Sequence, residues 1–215
     1  AINKHADSVL VIDDFMPALT TSRQKTLDDK LEKITRMYGD GKGIERMSDF
    51  AKKPNAGYYP VKGLGIITGE HIHGVLSSLT RHLIVSVNRK SVDNVLLAFY
   101  QKNYKILTTH IYDFISWVAE RYDYIAEFIA EKMGVYRMTS LFEFPRYDEM
   151  CAVFLTTVEI FLAYAKDRGF LNDEQVEYTY IAWKSITVDV IRENERALKS
   201  QDLGETLREV CRVMY

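Results

Sequence analysis

Asp13 and Asp14 close the run Ser8-Val-Leu-Val-Ile-Asp-Asp, and paired carboxylates at the end of an apolar strand can hold Mg²⁺ beside a phosphorylated Asp. A phosphoacceptor site of that kind needs strands and helices alternating along the whole chain, with a third Asp and a Lys delivered to the same sheet edge. The pattern after residue 70 is helical and delivers neither, so the run reads as a strand or extended arm ending in a polar turn. Glu70-His71-Ile-His73, with His82 and His110 further on, is the one metal-like cluster. On a strand His71 and His73 would share a side, but on a helix they diverge by about 200°, and the helical pattern begins here. With no His-Glu-x-x-His, no Glu-x-x-His pair and no Cys cluster, neither a metal nor another cofactor is expected.

Phosphate cradles fare no better. Glycines 39, 41, 43, 63, 65, 69 and 74 could turn backbone N–H groups toward an anion, but none precedes the Lys-Ser/Thr of a phosphate loop. The stretch Gly63-Leu-Gly65-Ile-Ile-Thr-Gly69 also misses the Gly-x-Gly-x-x-Gly spacing of dinucleotide sites. Cys151 and Cys211 fall at apolar helical positions and read as buried thiols. No nucleophile elbow is present, so no catalytic residue is assigned.

Two surfaces remain as candidates. Tyr58, Tyr59, Leu64, Ile66 and Ile67 place large apolar groups in a glycine-containing segment that something must cover, which makes them the candidate partner-binding residues. Arg81, Arg89, Lys90, Lys102 and Lys105, opposed in that stretch only by Asp93 and interleaved with Tyr100 and Tyr104, form the candidate anion-binding set. Basic residues among aromatics can grip phosphate and stack on bases. The same composition also makes a solvated helix face, or one that pairs with the acidic half of the chain.

The elements that must position these residues follow from glycine, proline and periodicity. Eight of 11 Gly and three of four Pro precede Val75, whereas Val75 to Met133 has neither. The first third is therefore irregular, with a short strand or arm at Val9–Ile12, a helix whose face is Leu27, Leu31, Ile34 and Tyr38, and a short helix over 44–52. Ile72, Val75, Leu76, Leu79, Leu83 and Val87 predict a helix of about five turns. A second stripe from Leu96 to Met133 predicts one helix or two, with breaks possible near Asn103 or Tyr122, a cap at Ser91 and an end at Gly134. Pro145 to Gly169 and a segment capped by Asn172 or Asp173 complete the set, followed by a short last helix from Gly204 to Met214. The expected class is all-α: a bundle of six to eight helices in residues 70–215, with residues 1–69 as an irregular region packed on it.

Charge divides unevenly as well. Residues 1–112 carry 16 Lys/Arg against 11 Asp/Glu, and the remainder 12 against 19, so the halves are +5 and −7 around a net −2. Apolar runs stay far short of a bilayer span or signal-peptide core, which makes a cytoplasmic location the expectation. The function read from these features is that of a non-enzymatic adaptor or structural subunit, bound to other protein subunits as a homo- or hetero-oligomer. Nucleic-acid or anion binding through the basic 81–105 segment ranks second, and a helical enzyme with a site scattered over several helices third.

Overall fold

A computed structural model describes residues 8–15, 20–41, 61, 63–69 and 76–213, the last 13 of these as backbone alone. Helix accounts for 73% of what is described, which establishes the all-α class, and the strands among the described residues lie in the N-terminal region. The chain forms two compact units, Ala1–His82 and Leu83–Tyr215.

In the first unit β1 (Val9–Phe15) pairs in parallel with β2 (Leu64–Gly69). Parallel neighbours cannot be joined by a tight turn, and the connection between them carries α1 (Thr21–Gly39). Val9 stands opposite Leu64 and Val11 opposite Ile66, so these four share one face of the pair, and all four are exposed. Leu10, Ile12 and Ile67 point the other way and are half-buried. On that side a Cβ at Gly65 would sit 3.5 Å from the Tyr38 ring, which shows α1 lying against it. The expected stripe of Leu27, Leu31, Ile34 and Tyr38 is the half-buried side of α1. A single turn, α2 (Leu76–Leu79), buries Ser78 and Leu79. Beyond it Arg81 grips Asp40 at 3.0 Å and His82 meets the buried Thr35 hydroxyl at 2.9 Å, tying this segment to α1.

The second unit runs from a 3₁₀ turn (Arg89–Ser91) through α3 (Asn94–Lys102), α4 (Tyr104–Glu120), α5 (Tyr122–Arg137), α6 (Pro145–Asp167) and α7 (Asp173–Val213). α6 is central: α5 and α7 pack on it, and it buries Tyr147, Cys151, Leu155, Leu162 and Tyr164. Trp117 of α4 and Ile125 of α5 close around Tyr164, with Phe114, Val118 and Ile160 beside them. From α7 come the buried Thr187, Ile191, Asn194 and Leu198.

Several expectations are corrected here. The five-turn helix over Ile72–Val87 is absent: of its described residues only Leu76–Leu79 are helical, and 82–88 form neither helix nor strand. The reason is visible at Asn194, whose side chain accepts from the Ile84 N–H at 2.7 Å and donates to the Ile84 carbonyl at 2.8 Å. A backbone satisfied in this way has no need of a helical ladder. Gly134 lies inside α5 rather than ending it, and the last helix does not begin at Gly204, because α7 is continuous over 41 residues and about 60 Å. The cap assigned to Ser91 belongs to Asp93, which receives the Val95 and Leu96 N–H groups, whereas Ser91 closes a capping box with Asn88 on the 3₁₀ turn. The long stripe, expected as one helix or two with a break near Asn103 or Tyr122, is three helices, because the chain breaks at both places. The Asn103 side chain takes the Phe99 carbonyl at 2.8 Å, and Arg121 is drawn out of register onto the Trp117 ring and Asp167. The helix expected over 44–52 lies outside the described residues.

Candidate functional site

The strongest concentration of polar chemistry in the first unit is at the carboxyl ends of the parallel strands. Ile12 pairs with Ile67 and Phe15 with Gly69, so three steps along β1 match two along β2, and one extra residue bulges at Asp13–Asp14. Asp14 absorbs the bulge with φ 56°, a left-handed conformation that Asp tolerates better than most side chains. Its N–H donates to Thr68 Oγ1 at 2.9 Å, and the Thr68 hydroxyl donates to Asp13 Oδ1 at 2.5 Å. Thr68 thereby fixes one oxygen of Asp13, and both carboxylates stay exposed at the strand ends. In open sheets with parallel strands this edge is where ligands bind. The pairing of Asp13 with Thr68 was not legible in sequence, since the two are 55 positions apart.

Of the candidate partner-binding residues, Leu64 and Ile66 lie side by side on the exposed face of β2, while Ile67 turns to the α1 side. Tyr58 and Tyr59 lie outside the described residues, as do His71 and His73. Among the described residues no three His, Cys, Asp or Glu side chains converge to hold a metal ion. The candidate anion-binding set divides between the units. Arg81 belongs to the first, with its side chain only 10% exposed and engaged with Asp40. Arg89 and Lys90 on the 3₁₀ turn, Tyr100 and Lys102 on α3, and Tyr104 and Lys105 on α4 are all exposed in the second.

The surroundings of that second group are more apolar than basic. α3 buries none of its residues: Val95 is 79% exposed, and Leu96, Leu97, Phe99 and Tyr100 are exposed too. α4 continues the surface with Tyr104, Ile106, Leu107, Ile111, Tyr112 and Ile115. Tyr178, Ile181, Trp183 and Ile186 are further exposed apolar residues on the first half of α7, with Tyr178 and Ile181 on one side of the helix.

A partly exposed polar network joins α4 to α6, and spacing gave no means of finding it, because its cross-helix partners are 46 to 55 residues apart. Asp113 accepts from Tyr164 Oη at 2.8 Å and from Arg168 Nε and Nη2 at 3.0 and 2.8 Å. The Tyr164 hydrogen bond, followed by those from Arg168, holds the Asp113 carboxyl below its ordinary range, and burial pushes the Tyr164 phenol up. Asp167 similarly joins Trp117 Nε1 at 2.7 Å to Arg121 at 2.9 Å. Here the donors and acceptors satisfy one another, which suits holding α4 to α6 rather than moving protons. Cys151 is a buried thiol whose pKa burial raises, which leaves it a poor nucleophile.

The chain matches no protein-family model, no curated protein and no solved structure. No helix among the described residues is long and apolar enough to cross a membrane.

Proposed function

We propose that this chain works as one part of a larger protein assembly, acting through protein–protein contact. The observation that carries the reading is the parallel pair β1–β2, whose Val9, Val11, Leu64 and Ile66 are uncovered on one face. Parallel sheets are stable where both faces are covered, and two strands are too few to stand alone in water. Further strands or helices, supplied by other parts of the assembly, complete this sheet. Hydrogen exchange tests it: the amides of Val9–Ile12 and Leu64–Thr68 exchange rapidly in the isolated chain and are protected in the assembly recovered from native cells. Equal exchange in both states refutes the reading.

The strand-end geometry favours a second reading within the same assembly, phosphoryl transfer from a nucleoside triphosphate. Mg²⁺ is bound through one or two carboxylates, with waters and substrate phosphates filling the other positions, and in nucleoside triphosphatases a strand-end Asp has this task. Asp13, oriented by Thr68, is suited to the cation shell. Asp14, exposed beside it, is suited to orienting the attacking water. The phosphate-cradling loop would come from the segments that complete the sheet. Nucleoside triphosphate hydrolysis by the native assembly, lost at least about 100-fold in Asp14→Asn with assembly size unchanged, is the expected result. Unchanged hydrolysis in both that variant and Asp13→Asn excludes these carboxylates from the chemistry.

A further inference from the structure

Resting on the assembly reading, we infer that a second copy of this chain covers the α3–α4 surface, and that it does so with the first half of its α7. Both surfaces belong to the same unit and are uncovered in the same chain. On α4, Tyr104, Thr108, Ile111 and Ile115 follow one another at i, i+4, i+7 and i+11, all exposed. On α7, Glu174, Tyr178, Ile181 and Ser185 repeat that spacing, all exposed, with Asp189 extending the row. Two helical strips of the same pitch and similar length can pack along one another.

Charge selects the pairing. Around the α3–α4 strip stand Arg89, Lys90, Lys102 and Lys105, and the one acid in the stretch, Asp93, is occupied in capping α3. Around the α7 strip stand Glu174, Glu177 and Asp189 against Lys184. None of the ion pairs among the described residues consumes any of these seven flanking charges, the four basic and three acidic residues. When the two helices run parallel, the Lys102 and Lys105 end of one strip meets the Glu174 and Glu177 end of the other. Pairing α3–α4 with its own counterpart would instead set four cations against four. Joining two different strips, the contact closes as a reciprocal two-fold dimer where both strips meet the same partner, and otherwise repeats around a ring or along a filament. Nucleic acid would use the cations but would leave Val95, Leu96 and Ile111 in water, and it offers no role to the uncovered α7 strip.

Two charge-reversed variants, Lys102→Glu with Lys105→Glu and Glu174→Lys with Glu177→Lys, test the pairing by analytical ultracentrifugation of the full chain. All four residues are exposed, and circular dichroism checks that each variant keeps its helices. The unmodified chain sediments as a concentration-dependent multiple of 24.9 kDa, and each variant alone at 24.9 kDa. An equimolar mixture of the two associates again, because each new contact brings opposite charges together. A monomeric unmodified chain, variants that associate as before, a mixture that stays monomeric, or oligonucleotide binding through α3–α4 without change of mass overturns the proposal. Should the purified chain be monomeric while β1 and β2 are still protected in the native assembly, self-association alone has failed. When that protection is missing too, the assembly reading falls with it.

Discussion

Tyr147 and Tyr164 sit on one helix, are equally buried, and differ in what their hydroxyls meet. The Tyr147 hydroxyl has no partner among the described residues, and burial, with a smaller contribution from Glu195, pushes its phenol up to about 12. Removing a buried unpaired hydroxyl relieves a desolvation cost, so Tyr147→Phe is expected to raise stability by about 1 kcal/mol. Tyr164→Phe takes from Asp113 the bond that does most to hold its carboxyl ionised, and is expected to lower stability. Urea titrations of the two variants should shift in opposite directions; a loss for both would mean that Tyr147 is hydrogen-bonded after all. His82 supplies a pH dependence. Burial lowers its pKa below the ordinary 6.5, so the unfolded chain takes up the proton first, and stability falls as pH drops below 6.5 toward the folded value. Stability measured from pH 7.5 to 5.5 should show this loss in the unmodified chain. It should be smaller in His82→Gln, which can keep a bond to Thr35 without titrating.

Two glycines make the same point for whole elements. Gly134 occupies an ordinary helical position in α5, where an added Cβ would meet nothing within 4 Å, so Gly134→Ala should stabilise by about 0.5–1 kcal/mol. Gly63, just before β2, has φ 104° and would bring a Cβ to 2.2 Å from the Ser8 carbonyl oxygen. Gly63→Ala should therefore weaken the start of the β1–β2 pair by about 1–3 kcal/mol. Thermal melts of both variants check the opposite signs, and a rise in both would mean that the Ser8 carbonyl moves aside at Gly63. Helical periodicity carried most of the element reading, and it located α1 and α6 well. It failed where side chains from far away settle the backbone: nothing near Leu83 or Val87 announces that Asn194 will take both backbone groups of Ile84. Helix ends suffered likewise, since Gly134 and Gly204 look like stops only when their neighbours in space are unknown. Strand alternation separates Ile67 from Leu64 and Ile66, which share the opposite face of β2.

At the scale of the whole chain, the all-α class was legible because glycine and proline concentrate before Val75. The parallel pairing of residues 9–15 with 64–69 was not, because a long-range strand pair leaves no local mark. Nor did charge reveal the units: the sign of the charge turns over near residue 112, whereas the compact units divide after His82. The division carries its own prediction. Leu83–Tyr215 buries Trp117, Ile125 and Tyr164 as one cluster and Ile191 and Leu198 besides, drawn from four helices, enough apolar surface to fold without the rest of the chain. Ala1–His82 contributes only Thr35, Ser78, Leu79 and Thr80 to the buried residues described, and one apolar face of its sheet is open. Expressed separately, residues 83–215 should give a helical circular dichroism spectrum and a cooperative melt, and residues 1–82 should give neither. A cooperative transition in the shorter fragment would mean that two parallel strands and α1 suffice without a covering layer, and would remove the main support for a sheet completed from elsewhere.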